Sequence, residues 1–255
     1  MLQNKKEAQA PLSFDGVNRV IKVLIYSDIL ISGGFGLIAP IFAIFIMNNI
    51  YGATLEVIGV STAIYLITRS LTQLVVSEMI ERIKGEKDDF YLEFIGTIMS
   101  SLIYLFFPLI VNIPQLYMAQ VILGVSAAMT YPTWVAIFSR HTDNKDSSKE
   151  WGIHNTLMDI VLALAAVIGS IIVEKFGFQF LFLIIGTLGM LGSVVLLGMK
   201  NNLFTSHKYT KKSKIAELKD IEDYEEEVKK VTIKKIESGE NKVAPKKRGR
   251  PRKNP

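Results

Sequence analysis

The polar and apolar positions of the chain form six long apolar runs that are separated by short polar segments. The runs lie at Ile21–Met47, Val57–Ser77, Phe90–Val111, Gln115–Phe138, Trp151–Val173 and Phe178–Met199. An α-helix rises about 1.5 Å per residue, so about twenty apolar residues cross the hydrocarbon core of a bilayer. A soluble domain shows apolar runs of about four to eight residues instead. The pattern predicts an all-α, polytopic membrane protein with six transmembrane helices, which together form a domain over residues 21–199.

Lysine and arginine gather in alternate connections between these runs. They precede the first run and follow the second, fourth and sixth, at Lys5, Lys6, Arg19, Lys22, Arg82, Lys84, Lys87, Arg140, Lys145, Lys149 and Lys200. The other connections hold only Lys175. Because positive loops stay on the cytoplasmic side during insertion, this asymmetry predicts a multi-pass protein of the cell membrane with both termini in the cytoplasm. Residues 1–20 then form a cytoplasmic N-terminal segment, and the first run is too long for a cleaved signal peptide.

Residues 200–255 form a charged tail, predicted to be cytoplasmic. The tail holds seventeen of the 29 Lys and Arg and nine of the 24 Asp and Glu, which gives it a formal charge of +8. Apolar residues recur every three to four positions from Lys211 to about Glu237. This period fits an amphipathic helix, a short coiled coil or a frayed solvated helix. We therefore predict a partly helical, partly disordered tail.

The end of the tail resembles the core of an AT-hook. The matching residues are Arg248, Gly249, Arg250 and Pro251, and Arg252 follows them. The arginines of such a motif enter the narrow minor groove of A·T-rich DNA. Basic residues near a membrane also bind anionic lipid, at about 1 kcal/mol each, or serve only topology and solubility. DNA contact, lipid contact and a plain solubility role all stay open.

The first and fourth apolar runs share a short pattern. A small residue stands four positions before a proline, as Gly36 before Pro40 and Ala128 before Pro132, and Ala-Ile-Phe follows each proline. The two runs cross the membrane in opposite directions, so the pattern suggests a 3+3 inverted repeat of the kind common in secondary transporters.

Two motifs resemble signatures of the major facilitator superfamily. The segment from Ser77 to Lys87 resembles its G-x-x-x-D-R-x-G-R-R loop, with Glu81 at the acidic position and Arg82 at the arginine. Gln120-x-x-x-Gly124, followed by Pro132, looks like its R-x-x-x-G…P pattern. The resemblance covers about residues 20–199, the N-terminal half of a typical member. It implies an alternating-access transporter fold.

The resemblance also implies roles for particular residues. In the family the first motif locks helix ends in one conformation, which would involve Ser77, Glu81, Arg82 and Lys84, although an ordinary solvated loop is the alternative. The family's proton-coupling arginine in the fourth span is Gln120 here, and the fifth run has no proline. These departures argue against proton-coupled antiport.

Ionisable side chains inside transmembrane helices cost about 2.5–3.5 kcal/mol at the helix centre, so they are functional candidates. Asp28, Arg69 and Asp159, with Gln120, are the candidates for substrate binding or ion coupling. Asp28 and Arg69 fall at comparable depths, so we expect an ion pair between them in preference to a substrate contact. Asp28 is alternatively a cavity site for a proton or cation, or a carboxylate near the cytoplasmic interface that a hydroxyl or a neighbouring arginine holds. Asp159, with His154 nearer the surface, is a gating or an interfacial residue, and we expect the interfacial role.

The sequence favours a transporter of an unknown small solute that assembles as a dimer of half-transporters or with a second half-size chain. The alternative is a transport-inactive membrane anchor or scaffold whose basic tail binds nucleic acid, anionic lipid or a protein partner. An enzyme is the least favoured class. The three histidines are scattered, the chain has no cysteine, and no nucleotide-binding glycine loop appears, so we expect no metal and no cofactor.

Overall fold

The computed structural model describes residues 17–82, 86–142 and 147–200. Within these ranges the chain is helical apart from short connections, and an isolated backbone bridge joins Tyr51 to Asn112. The helices are α1 (Arg19–Ile38), α2 (Phe42–Asn49), α3 (Leu55–Arg82), α4 (Lys87–Phe106), α5 (Ile113–His141) and α6 (Ser147–Leu196). Short 3₁₀ turns follow α1, α4 and α6 at Ala39–Ile41, Phe107–Leu109 and Leu197–Met199. The tail predictions, including the AT-hook-like residues, lie outside the described residues.

Five helical segments in the described ranges are long and apolar enough to cross a membrane. They are Arg19–Asn49, Leu55–Arg82, Lys87–Leu109, Ile113–His141 and Ser147–Met199. The predicted all-helical, membrane-spanning architecture is therefore confirmed for this part of the chain. The count differs from six because the fifth and sixth apolar runs belong to one helical stretch, α6.

α6 is helical on both sides of Gly177, whose φ of 81° and ψ of 171° interrupt the helix. Glycine alone tolerates this backbone conformation without strain. Contacts with α1 reveal the direction of each part. The contacting pairs are Asp28–His154 and Leu37–Gly169 before the glycine, and Gly34–Leu188 and Ser27–Gly192 after it. The chain thus ascends along α1, reverses at Gly177 and descends along α1. We call residues 147–176 the first arm of α6 and residues 178–196 its second arm.

Helix boundaries follow local signals in the sequence. The Asn112 side chain accepts a hydrogen bond from the backbone N–H of Gln115 at 3.0 Å, and Pro114 stands in the first turn of α5. Pro40 interrupts the first apolar run, where α1 gives way to a 3₁₀ turn. Pro132 lies inside α5, which remains helical on both sides of it.

The bundle interior has three layers. One apolar cluster is centred on Phe45, Phe107 and Phe182, whose rings lie 4.7–5.9 Å apart. A second apolar cluster includes Phe90 and Phe138. Along α1, α4 and α5, most of the buried polar residues fall between the two clusters. They are Ser27 in α1, Glu93, Thr97, Ser100 and Ser101 in α4, and Ser126 and Thr133 in α5, whereas Asp89 precedes Phe90 in α4 and Gln120 lies beside first-cluster residues in α5. This order places a polar layer between two apolar ones.

An ion pair joins the start of α4 to the end of α5. The Arg140 guanidinium contacts the carboxylate of Asp89, which is fully buried, and the other Asp89 oxygen has no hydrogen-bond partner among the described residues. His141 Nε2 lies 3.8 Å from the Glu86 carboxylate in the same region. Removing one partner of a buried pair leaves a charge without compensation, which costs more than the pair itself contributes.

We expect Arg140→Ala to lower the free energy of unfolding by about 2 kcal/mol. This lies below the usual cost of breaking a buried pair because Arg140 is 38% exposed. The matched control is Arg82→Ala, since Arg82 pairs with Glu78 on the exposed surface of α3, where such pairs contribute about 0.3–0.5 kcal/mol. Unfolding in mixed micelles measures both variants. Equal losses of stability in Arg140→Ala and Arg82→Ala would contradict the role of the Arg140–Asp89 pair. The double variant Arg140→Ala with Asp89→Asn should recover part of the lost stability, and no recovery would contradict that role as well.

Candidate functional site

A cavity of about 590 Å³ occupies the polar layer. Its wall comes from α1, α3, α4, α5 and the first arm of α6. The ionisable and amide side chains on this wall are Asp28, Tyr65, Arg69, Glu93, Tyr104, Gln120, Tyr131 and His154. The cavity thus gathers charged groups at the middle of membrane-length helices, where such groups are costly unless they have partners or a function.

Asp28 pairs with His154 across the interface of α1 and α6. His154 Nε2 lies 2.7 Å from Asp28 Oδ2, and the Ser32 hydroxyl donates to the other carboxylate oxygen. His154 Nδ1 lies 3.2 Å from the side-chain oxygen of Asn155. Both members of the pair are largely withdrawn from solvent. The carboxylate therefore has a partner at each oxygen.

Aromatic rings surround His154. The ring centroids of Trp134, Phe138 and Trp151 lie 4.6, 5.8 and 6.3 Å from that of the imidazole. Trp134 also lines the cavity, and its indole N–H is buried without a partner among the described residues. The Asp28–His154 pair therefore lies where the polar layer meets the apolar cluster of Phe90 and Phe138.

Arg69 contacts an aromatic ring and not the acid that the sequence suggested. Its guanidinium carbon lies 5.2 Å from the ring centroid of Tyr131, a cation–π contact. Within the described residues, no carboxylate lies within 4 Å of Arg69. The predicted Asp28–Arg69 ion pair is therefore wrong. Equal depth does not imply contact, because α1 packs along α6 whereas α3 packs along α5.

Glu93 belongs to the cavity wall although the sequence analysis did not select it. Its carboxylate accepts a hydrogen bond of 2.9 Å from the Thr133 hydroxyl, and the residue is 4% exposed. Glu93 lies almost two turns inside α4, which begins at Lys87. The signal was an ionisable residue within an apolar run, as for Asp28.

The other sequence candidates occupy different places. Gln120 is buried and lines the cavity. Asp159 is exposed on the first arm of α6 and does not line the cavity, whereas His154, which was expected nearer the surface, is buried.

The predicted lock segment begins within the end of α3. Ser77, Glu81 and Arg82 lie in the last turns of that helix, and Arg82 pairs with Glu78. Lys84 lies outside the described residues. In the ranges that the structure describes, no three His, Asp or Glu side chains come together as a metal site.

Comparisons with known proteins agree with this architecture. The family model of the Major Facilitator Superfamily matches residues 25–245. Sixteen chains of known structure match, among them the in meso crystal structure of the POT family transporter PepTSo, with a TM-score of 0.60 and 14% sequence identity. That match covers 72% of this chain and 37% of the transporter, so the chain spans little more than a third of its length. No curated protein sequence matches the chain. The extent of the family match shows that this multi-pass membrane protein belongs to the Major Facilitator Superfamily.

Proposed function

We propose that the chain is one six-helix unit of a secondary transporter and that a small polar solute binds in its cavity. The observation that carries the proposal is the cavity wall itself. Asp28, Arg69, Glu93 and His154 face one cavity inside helices that are long and apolar enough to span a membrane. Ionisable side chains at membrane depth face substrate or ion pathways as a rule. Transporters of this kind bind solute near the bilayer midplane.

The reversal at Gly177 supports six membrane crossings. Each arm of α6 runs along α1, in opposite directions, so each has the direction of a separate span. With the four helical segments that precede α6, an even number of crossings follows. The positive connections then share one side, which we assign to the cytoplasm together with both termini.

Helix packing supports the 3+3 inverted repeat. In the first half, Gly36 of α1 packs against Leu162 and Ala165 of the first arm of α6. In the second half, Gly124 of α5 packs against the backbone of Tyr65 and Arg69 in α3. Thus α1, the first span of the first half, approaches the second span of the second half through a glycine. In the same way α5, the first span of the second half, approaches α3, the second span of the first half. A repeat related by a two-fold axis requires this symmetry.

We propose that a second copy of the chain covers the cavity. Thr62 and Tyr131 line the cavity and are exposed, so the cavity is open on that side. Lipid is a poor cover for a wall that contains Arg69. A second unit with the same wall would enclose a pathway between two copies. The solute would then contact Arg69 and Gln120 from both sides.

Solute binding is tested on the purified chain in detergent with a panel of small organic anions, cations and zwitterions. We expect at least one solute to raise the melting temperature in a saturable way, since a ligand at about 100 times its Kd adds about 2.7 kcal/mol of stability. Arg69→Gln should abolish the rise. Arg82→Gln, on the exposed end of α3, should retain it. Flux of the same solute into proteoliposomes and the particle mass in nanodiscs complete the test.

Three outcomes would overturn parts of this proposal. If no solute of the panel stabilises the protein or crosses the membrane, the transporter role fails. If flux persists in a preparation that is strictly monomeric in nanodiscs, the second copy is not needed. A rise that survives Arg69→Gln would move the solute site away from this cavity.

A further inference from the structure

The Glu93 carboxylate is an uncompensated buried acid. Among the described residues, no Lys, Arg or His side chain lies within 4 Å of it. Within the described ranges, the basic side chains that line this cavity are His154, which is engaged by Asp28, and Arg69, which has no carboxylate within 4 Å. A buried carboxylate needs a hydrogen-bonded partner of opposite charge, or it takes up a proton or a metal cation. Nothing described in the chain supplies that charge at Glu93.

The Thr97 hydroxyl is a second group without a partner at the same place. Thr97 stands four residues after Glu93, so the two side chains are neighbours on one face of α4. Its hydroxyl is buried, has no hydrogen-bond partner within the part of the chain that the structure describes, and belongs to a residue that lines the cavity. Thr97 is 1% exposed, so solvent outside the cavity does not reach it. Its backbone carbonyl, by contrast, accepts from both Ser100 and Ser101.

The Thr133 hydroxyl of α5 has three possible acceptors for its one proton. The Thr133 hydroxyl lies 2.9 Å from Glu93 Oε2, 2.6 Å from the Met129 carbonyl and 2.8 Å from the Thr130 carbonyl. A hydroxyl has one proton and donates to one of these three acceptors at a time. When that proton turns toward a carbonyl of its own helix, the hydroxyl oxygen and the Glu93 carboxylate together offer oxygen ligands to a hard cation.

α4 and α5 are held at a fixed distance beside these groups. A Cβ on Gly96 would lie 2.7 Å from the Thr130 methyl group and 3.0 Å from the Ser126 carbonyl oxygen. The backbones approach this closely only because residue 96 is glycine. Glu93 on α4 and Thr133 on α5 therefore face each other across a closely packed interface.

We infer that Glu93 and Thr97, together with Thr133, form a binding site for Na⁺ that opens on the cavity. One carboxylate balances one positive charge, which favours a monovalent ion over Mg²⁺ or Ca²⁺. A proton on Glu93 would also remove the charge, and the pH arm of the test below separates that case from Na⁺ binding. Na⁺ binding does not depend on transport. A role for Na⁺ in driving solute movement rests on the proposed function.

The test uses the full chain in detergent, with NaCl exchanged for choline chloride at constant ionic strength. We expect Na⁺ to raise the melting temperature in a saturable way that KCl does not reproduce. Glu93→Gln, which keeps the oxygen that accepts from Thr133, should abolish the effect. Thr97→Val should raise the half-saturating Na⁺ concentration about tenfold or more, the scale on which metal affinity falls when a supporting group is lost. Asp159→Asn, an exposed carboxylate outside the cavity, is the matched control and should respond as the wild type does.

Several outcomes would overturn the site. No Na⁺ effect in the wild type, an equal effect of K⁺, or an undiminished effect in Glu93→Gln would each refute it. If the melting temperature does not change with Na⁺ but changes with pH, and Glu93→Gln removes the pH dependence, the site binds a proton and not Na⁺. If Glu93→Gln fails to fold, Thr97→Val still decides, because an unchanged half-saturating concentration in that variant refutes the site. Na⁺ binding without solute flux would leave this site standing while the transport role fails.

Discussion

Replacing Gly169 by alanine is expected to destabilise the protein by about 3 kcal/mol, the upper end of the usual cost of overpacking. A Cβ at this position would lie 1.9 Å from the backbone oxygen of Leu37 and 2.7 Å from its carbonyl carbon. The obstacle is main chain, so no side-chain rotation relieves it, and α1 and the first arm of α6 must move apart. The higher helix propensity of alanine, about 1 kcal/mol, offsets only part of this cost. Unfolding of purified variants in mixed micelles measures the change.

Two further glycines serve as matched controls. Gly152 also lies in the first arm of α6, and a Cβ there would meet nothing within 4 Å. Gly33 is intermediate, because its Cβ would lie 2.9 Å from the end of the Val161 side chain, which can shift. We expect Gly152→Ala to be neutral or stabilising, Gly33→Ala to be mildly destabilising and Gly169→Ala to be the most harmful. If Gly169→Ala is as stable as Gly152→Ala, the backbones of α1 and α6 do not approach each other closely at Leu37 and Gly169.

The spans were largely predictable from the sequence because one physical cause dominates them. Lipid requires long apolar runs, so the runs mark where helices lie, and local signals such as Asn112 and Pro114 mark where α5 starts. The turn after the fifth run was less predictable. The pattern suggested a short link before Phe178, whereas the helix continues through Phe176 and reverses at Gly177 alone.

The site was only partly predictable because sequence gives depth and not direction around a helix axis. Depth placed Asp28, Arg69 and Gln120 within the membrane, and all three line the cavity. The direction of a side chain around the helix axis decides which residue it contacts. α1 turns Asp28 toward His154, and α3 turns Arg69 toward Tyr131. Glu93 carries the same depth signal as Asp28, an ionisable residue inside an apolar run, but its partner Thr133 lies forty residues away, on a face of α5 that depth does not specify.

The second large effect concerns the Asp28–His154 pair. We expect Asp28→Asn and His154→Gln each to destabilise the protein, and the double variant to cost much less than the sum of both. The coupling energy should be about 2 kcal/mol, because the pair is largely buried and each residue leaves the other without its partner when replaced. The chain has two tryptophans, and both Trp134 and Trp151 contact the His154 ring, so intrinsic fluorescence follows unfolding at this place.

The control cycle combines Asp28→Asn with Arg69→Gln. These two residues line the same cavity without contact, so their effects should add within about 0.5 kcal/mol. The opposite result would be additive effects for Asp28 with His154 and strong coupling for Asp28 with Arg69. It would show that Arg69, and not His154, is the partner of Asp28, as depth alone suggests. Strong coupling in the first cycle alone means that His154 of α6 is the partner that stabilises the buried carboxylate of α1, and that Arg69 remains available to a solute.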